Sequence, residues 1–290
     1  MLSAYQYSIA YLILSFLCFT QLGMGQDPKA NRIALWTDKA PIGDGQFQES
    51  QAWLTPHIAP NGNGSAIVIC PGGGYGSLVT GGEGHGIAAW LNQHNITGLV
   101  LEYRLPKGKS MVPLLDAQRA IRLARLRADE WKLKTNRIGI MGFSAGGHLA
   151  STAGTHFDSG KPDAKDPVER LSCRPDFMIL VYPVIYMGDK AHSGSQKNLL
   201  GENPTLEQIA LFSNDKQVTV STPPTFMAHA IDDKPVPIEH SRAFYSALLG
   251  AKVPCKLLEL PSGGHGLNGY KGPMWDQWQR ESLEWLSQLP

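Results

Sequence analysis

The segment Gly142-Phe143-Ser144-Ala145-Gly146 sets a serine hydroxyl between two glycines. An apolar run, Arg137–Gly142, leads into it, and a helix-forming run, Ala145–Thr155, leads away. A serine at such a strand-to-helix junction is suited to nucleophilic attack. The tight turn lifts Oγ clear of the sheet, and the flanking glycines leave room where a side chain would strike backbone. The helix N-terminus behind it adds positive potential where negative charge develops. The chemistry implied is acyl transfer, which also needs donors for an oxyanion, a base, and a group that orients the base.

Donors are expected from Cys70-Pro71-Gly72-Gly73-Gly74-Tyr75-Gly76, which follows the apolar run Ala66–Cys70. A glycine run lets main-chain N–H groups approach a tetrahedral oxyanion closely. The N–H of Gly73 or Gly74 and that of Ala145 are the candidates. A phosphate-cradling loop is the rival reading, but the Gly-Lys-Ser/Thr ending of a P-loop is missing. Among nine histidines, His265 fits a base best, because Pro261-Ser262-Gly263-Gly264-His265-Gly266 forms a loop after the last apolar run. His148 lies four residues beyond Ser144 and reads as packing or capping; His229 ends a strand. His57, His85, His94, His156, His192 and His240 are scattered and read as solvated or locally bonded. The orienting acid belongs in His229-Ala230-Ile231-Asp232-Asp233-Lys234-Pro235-Val236-Pro237, after the next-to-last apolar run. No histidine pair has zinc-ligand spacing with a carboxylate, so no metal is expected, and the mechanism calls for no cofactor.

The elements that must hold these residues alternate regularly from Ser65 onward. Strands are expected at Ala66–Cys70, Thr97–Tyr103, Arg137–Gly142, Asp176–Pro183, Thr225–His229 and Cys255–Leu260, nearly continuous apolar runs of the kind covered on both faces. Helices are expected at Glu83–Asn95, Val112–Lys134, Ala145–Thr155, Ile238–Leu249 and Met274–Leu286. The alternation implies an α/β fold with a doubly wound, mostly parallel sheet, helices on both faces and no large cap domain. Residues 26–65 read as short strands and loops, including Arg32–Trp36, and Ile185–Ser221 as the segment that shapes an open site.

Several motifs together carry a resemblance: Pro71-Gly-Gly-Gly-Tyr75, Tyr103-Arg104-Leu105, Gly142-Phe-Ser-Ala-Gly-Gly-His-Leu149, Asn198-Leu-Leu-Gly201, Asp233-x-x-Val-Pro237 and Gly264-His265-Gly266. From about Trp36 to the C-terminus the chain resembles secreted bacterial esterases of the α/β-hydrolase superfamily. More narrowly it is similar to acetylxylan-esterase-like enzymes, a group related to feruloyl esterases and sometimes labelled as xylanases. The resemblance implies the order Ser144, Asp233, His265 for a catalytic triad, since in these hydrolases the acid is followed by two residues and then Val-Pro. Asp232 falls out of that register and reads as a turn residue bonding its own backbone. Pro71 stands where related esterases carry His before the glycines. The implied substrate is a short-chain, acetyl-type ester on oligo- or polysaccharide. A general small-molecule carboxylesterase or a feruloyl esterase is the alternative, with an exopeptidase-like hydrolase behind them. Tyr75, Tyr270 and Trp275 are candidates for stacking on sugar rings, against a competing role in the core. A xylanase would need two carboxylates flanking the bond, and no such pair is apparent.

Composition sets the outer bounds. Hydrophobic residues make up 42% of the 290 and charged residues 18%, enough apolar material for a large core. A net charge of +1 supplies no field for nucleic acid and no polybasic membrane patch. The apolar stretch Ile9–Phe19 is short for a membrane span, and Gly23-Met24-Gly25 offers small residues at −3 and −1. Residues 1–25 are therefore expected to be an export signal. That places 26–290 outside the cytoplasm as one catalytic domain without stable membrane insertion, although the leader lacks Lys and Arg and an uncleaved anchor is the alternative. Of four cysteines, Cys18 lies in the leader, Cys70 reads as a small buried hydrophobe, and Cys173 and Cys255 are available to pair.

Overall fold

The computed structural model describes residues 31–37, 39–42 and 51–289. The expected export signal lies outside the described residues. One sheet runs in the order β1-β2-β4-β3-β5-β6-β7-β8. Its strands are β1 (Ile33–Ala34), β2 (Trp53–His57), β3 (Ala66–Cys70), β4 (Thr97–Glu102), β5 (Ile138–Phe143), β6 (Met178–Val181), β7 (Thr225–Ala230) and β8 (Cys255–Leu260). Pairing is parallel from β4 through β8, while β2 is antiparallel to β4 and β1 to β2. The helices are α1 (Gly86–Gln93), α2 (Met111–Leu126), α3 (Ala145–Thr155), α4 (Ser193–Leu200), α5 (Leu206–Leu211), α6 (Glu239–Gly250), α7 (Leu267–Tyr270) and α8 (Pro273–Ser287).

Strand residues alternate between two cores, which is why the strands read as unbroken apolar runs. On one face Val68, Leu99, Leu101, Ile140, Met178, Leu180 and Met227 pack with α2, α3 and α6. On the other, Ile67, Ile69, Val100, Met141, Ile179, Val181 and Phe226 pack with α1 and α8. This is the doubly wound α/β-hydrolase architecture.

β2 falls in the stretch 26–65 expected to hold short strands and loops; its Pro56 cannot donate to a ladder, and β1 covers only Trp53 and Leu54, so Pro56 sits where no strand flanks that side. Two departures from expectation have local causes. The helix expected over Val112–Lys134 stops at Leu126, because the chain then turns through Lys132 (φ 55°) and buries Trp131 on its way to β5. The run Asp176–Pro183 yields only a four-residue strand, ended by Tyr182 in a left-handed conformation (φ 39°). Cys173 and Cys255 do not pair: both are free thiols, and Cys173 Sγ accepts the Asp158 N–H.

Candidate active site

The parallel register places the C-terminal ends of β3, β5, β6, β7 and β8 along one edge, where ligands meet open α/β sheets. Ser144 follows β5 directly, with φ 53° and ψ −119°, a conformation costly for a residue bearing Cβ. Its N–H donates to Val181 O at 3.1 Å, and its carbonyl accepts from His148 N and Val184 N at 3.1 Å each. Glycine is required on both sides. A Cβ on Gly142 would overlap the Gly146 carbonyl, and one on Gly146 would overlap the carbonyls of Cys70 and Pro71.

His265, on the loop after β8, places Nε2 2.9 Å from Ser144 Oγ and Nδ1 2.7 Å from Asp233 Oδ2. Asp233 is 4% exposed and follows β7. Its Oδ1 accepts the Val236 N–H at 3.0 Å, and its Oδ2 also lies 3.2 Å from His229 Nε2. Burial alone would push the Asp233 carboxyl up, but hydrogen bonds from His229, His265 and Val236 outweigh it and hold the group well below the usual carboxylate range. The three residues thus form one hydrogen-bonded chain from a buried carboxylate through an imidazole to a hydroxyl. That arrangement can move a proton off Oγ as it attacks and stabilise the imidazolium formed.

Beside Ser144, the loop after β3 turns its carbonyls away. Gly72 O accepts from Val79 N at 3.0 Å, Gly73 O from Gly76 N at 3.0 Å and Ser77 N at 3.1 Å. Gly74 O accepts from Asn198 Nδ2 at 2.8 Å. Trans peptides then point the N–H groups of Gly73 and Gly74 the other way. Neither these nor the Ala145 N–H has an acceptor among the described residues. Gly73 (φ 125°) and Gly74 (φ 61°) occupy backbone regions that side chains resist.

The aromatic candidates divide. Tyr75 is 2% exposed and donates its hydroxyl to His148 Nδ1 at 2.8 Å, while His148 Nε2–H donates to Phe212 O at 2.8 Å. Burial pushes this imidazole down to about 4, so it stays neutral. Trp275 is 7% exposed and packs on Phe143, Tyr270 and Trp278. Neither ring is available to stack on a sugar, since each is buried among neighbouring rings. Tyr270 is half-buried, with its hydroxyl 3.1 Å from Glu83 Oε1.

Other residues at the site have roles that the sequence reading did not assign to them. Asp232 does not bond its own backbone: its carboxylate accepts Gly264 N–H at 2.8 Å and Gly263 N–H at 3.3 Å, tethering the His265 loop. His192 caps α4 through Nδ1, which accepts the Ser195 N–H at 3.2 Å. Its Cε1 would lie 3.8 Å from a Cβ on Gly74, so α4 forms a wall over the glycine loop. Burial, and then His265, lower its basicity, with Asp233 opposing. Asn198 was visible only as part of the run Asn198–Gly201; its clamp on Gly74 needs the tertiary structure.

The BD-FAE family model matches residues 59–248, most of the described chain. The chain belongs to the BD-FAE family. An acetylxylan esterase of Xylanibacter ruminicola is 36% identical over 250 residues, 83% of this chain and 49% of that protein. An endo-1,4-beta-xylanase B of Butyrivibrio fibrisolvens is 36% identical over 216 residues, 73% of this chain and 34% of that one. The chain therefore spans about half the length of the first and about a third of the second. The crystal structure of an acetyl ester-xyloside bifunctional hydrolase from Caldicellulosiruptor lactoaceticus is 42% identical, with a TM-score of 0.85, covering 91% of this chain and 97% of that one.

Proposed function

We propose that this BD-FAE chain is an exported serine esterase that removes short acyl groups, acetyl above all, from carbohydrate such as xylan. The observation that supports it most is the Asp233–His265–Ser144 chain of hydrogen bonds beside three unclaimed N–H groups. The names of the Xylanibacter and Caldicellulosiruptor relatives support the acetyl and carbohydrate parts. The apolar leader supports export.

In this reading Ser144 Oγ attacks the ester carbonyl as its proton passes to His265 Nε2. The Gly73, Gly74 and Ala145 N–H groups take the charge on the carbonyl oxygen. Collapse of the tetrahedral adduct breaks the bond to the alcohol oxygen, which takes the proton from His265 as it leaves. Water, deprotonated by His265, then attacks the acyl-serine, and acid is released with Ser144 restored. Asp233 holds Nδ1–H throughout.

Ser144→Ala folds and loses roughly 10⁶ in turnover. Wild-type activity in that variant would defeat the reading. The substrate class is tested by kcat/KM on p-nitrophenyl acetate, butyrate and octanoate, beside acetate released from acetylated xylan. Each misfitting methylene is worth about 1–3 kcal/mol in an acyl pocket. Octanoate preference, or no acetate from xylan, makes the protein a general carboxylesterase. Ferulate release at a comparable rate places it with feruloyl esterases.

A further inference from the structure

Behind the glycine loop lies a carboxyl group that the mechanism above does not use. Glu83 is 3% exposed. It stands in a π-turn, Gly81–His85, that precedes α1, and such turns recur at functional sites. A buried carboxyl group costs several kcal/mol unless it is paired or fully hydrogen-bonded. Among the described residues no Lys or Arg pairs with it. Its partners are instead three neutral donors: Gly72 N–H to Oε2 at 2.7 Å, Tyr182 OH to Oε1 at 2.9 Å and Tyr270 OH to Oε1 at 3.1 Å.

Each of those donors belongs to a segment that carries reacting groups. Gly72 opens the glycine loop and is wedged between Glu83 and the nucleophile: a Cβ there would sit 2.6 Å from Glu83 Oε2 and 3.0 Å from Ser144 Cβ. Tyr182 ends β6 in a left-handed conformation, and its ring centroid lies 4.9 Å from that of His265. Tyr270 ends the short helix that begins two residues after His265. Its ring packs so closely on the π-turn that a Cβ on Gly82 would come within 2.6 Å of it. A stability device would not need all its bonds to converge on these three segments.

We infer that Glu83 is a positioning residue. It holds the oxyanion loop, through Gly72, in register with the His265 loop, through Tyr270 and Tyr182, so that donors and base meet one tetrahedral centre. This inference rests on the esterase reading above. Burial pushes the Glu83 carboxyl up, while the Gly72, Tyr182 and Tyr270 hydrogen bonds and nearby His265 pull the other way.

The test uses Glu83→Gln and Glu83→Leu, assayed on p-nitrophenyl acetate with active sites titrated by a phosphonate reagent. In Glu83→Gln the amide oxygen accepts Gly72 N–H and the NH₂ donates to the two tyrosine oxygens, so the clamp survives and kcat stays within about threefold. Glu83→Leu removes every acceptor. Its kcat per titrated site falls roughly 10²–10³-fold, the loss expected when an oxyanion donor is misplaced. KM changes by less than about threefold, and affinity for a tetrahedral boronic acid adduct falls in step with kcat. A purely structural role lowers the fraction of active sites and leaves kcat per site unchanged; that result would overturn the inference, as would a Gln variant as impaired as Leu. Should Glu83→Leu not fold, Tyr270→Phe serves, since that ring is half-exposed. It lowers kcat with KM within about threefold, and a kcat per titrated site equal to wild type would overturn the inference. Ser144→Ala, run in parallel, separates the outcomes. If it is inactive and the Glu83 variants are normal, only this inference fails; if it is active, the esterase reading fails with it.

Discussion

Asp233→Asn is the most informative single change, because the structure says which atoms conflict. Asp233 Oδ1 accepts Val236 N–H at 3.0 Å, and Oδ2 lies 2.7 Å from His265 Nδ1 and 3.2 Å from His229 Nε2. An asparagine keeps its oxygen on the Val236 N–H, since the opposite flip sets NH₂ against N–H. The new NH₂ then faces His265 Nδ1, which must accept rather than donate. The proton moves to Nε2, 2.9 Å from Ser144 Oγ, and the imidazole can no longer receive the serine proton. Wrong-tautomer variants of this kind lose about 10⁴ in kcat, or roughly 5.5 kcal/mol of barrier.

Asp232→Asn is the matched control. Its carboxylate is exposed and accepts two backbone N–H groups, from Gly263 and Gly264. The amide oxygen retains the shorter bond, so the loss is one exposed hydrogen bond, about 0.5–1.5 kcal/mol. That corresponds to no more than about 13-fold in kcat. Both variants are assayed as kcat on p-nitrophenyl acetate per titrated active site, with melting temperature alongside. If Asp233→Asn stayed within tenfold of wild type, or Asp232→Asn lost more, the acid assignment would pass to Asp232.

Two further outcomes follow from groups beneath the site. Burial holds His148 at about 4 and His240 at about 3, so below about 6.5 the unfolded chain binds protons that the folded one refuses. Stability therefore falls as pH drops from 6.5, by about 2 kcal/mol per histidine by pH 5, opposed in part by Glu83, whose raised value acts in the reverse sense; a urea midpoint that is flat or higher at pH 5 than at pH 7 contradicts this. Tyr75→Phe strips the donor from buried His148 Nδ1, costing about 1–3 kcal/mol in urea unfolding with little change in KM for oligosaccharide. Unchanged stability with a raised KM would restore Tyr75 to the substrate.

Residues whose roles follow from the chain's local geometry were legible before the structure. The elbow around Ser144 needs only a strand, a helix and two glycines in series, so three sequence features place it. Cys255–Leu260 and Ala145–Thr155 were bounded correctly because apolar periodicity ends where glycine or turn residues begin. Asp233 was separable from Asp232 only through the Val-Pro register of related enzymes, and the structure supplies its physical content: Val236 N–H reaches back to Oδ1. Features that depend on distant segments meeting were not legible. Glu83 to Tyr270 spans 187 positions and Asn198 to Gly74 spans 124; no local pattern encodes either. Tyr75 and Trp275 were ambiguous for the same reason, since an aromatic after a catalytic loop has one composition whether it points to solvent or to the core.

The sheet explains why so few contacts suffice to align the site. Ser144, Tyr182, Asp233 and His265 leave β5, β6, β7 and β8, four consecutive parallel neighbours. Their register is fixed residue by residue, from Phe143↔Val181 through Val181↔Ala228 to Ala230↔Leu260. A slip of one residue in any strand would flip its side chains between the two cores, so hydrophobic burial on both faces specifies the spacing of the edge that carries these residues. Only the loops beyond that edge need tethers of their own. Asp232 supplies one, from the β7 loop to the β8 loop. Asn198 supplies another, from α4 to the glycine loop. Glu83 joins the glycine loop to the end of β6 and to Tyr270, beyond His265. Activity should accordingly be more sensitive to these three polar tethers than to conservative changes in the helices that cover the sheet, whose burial sets stability while the strand register holds the site.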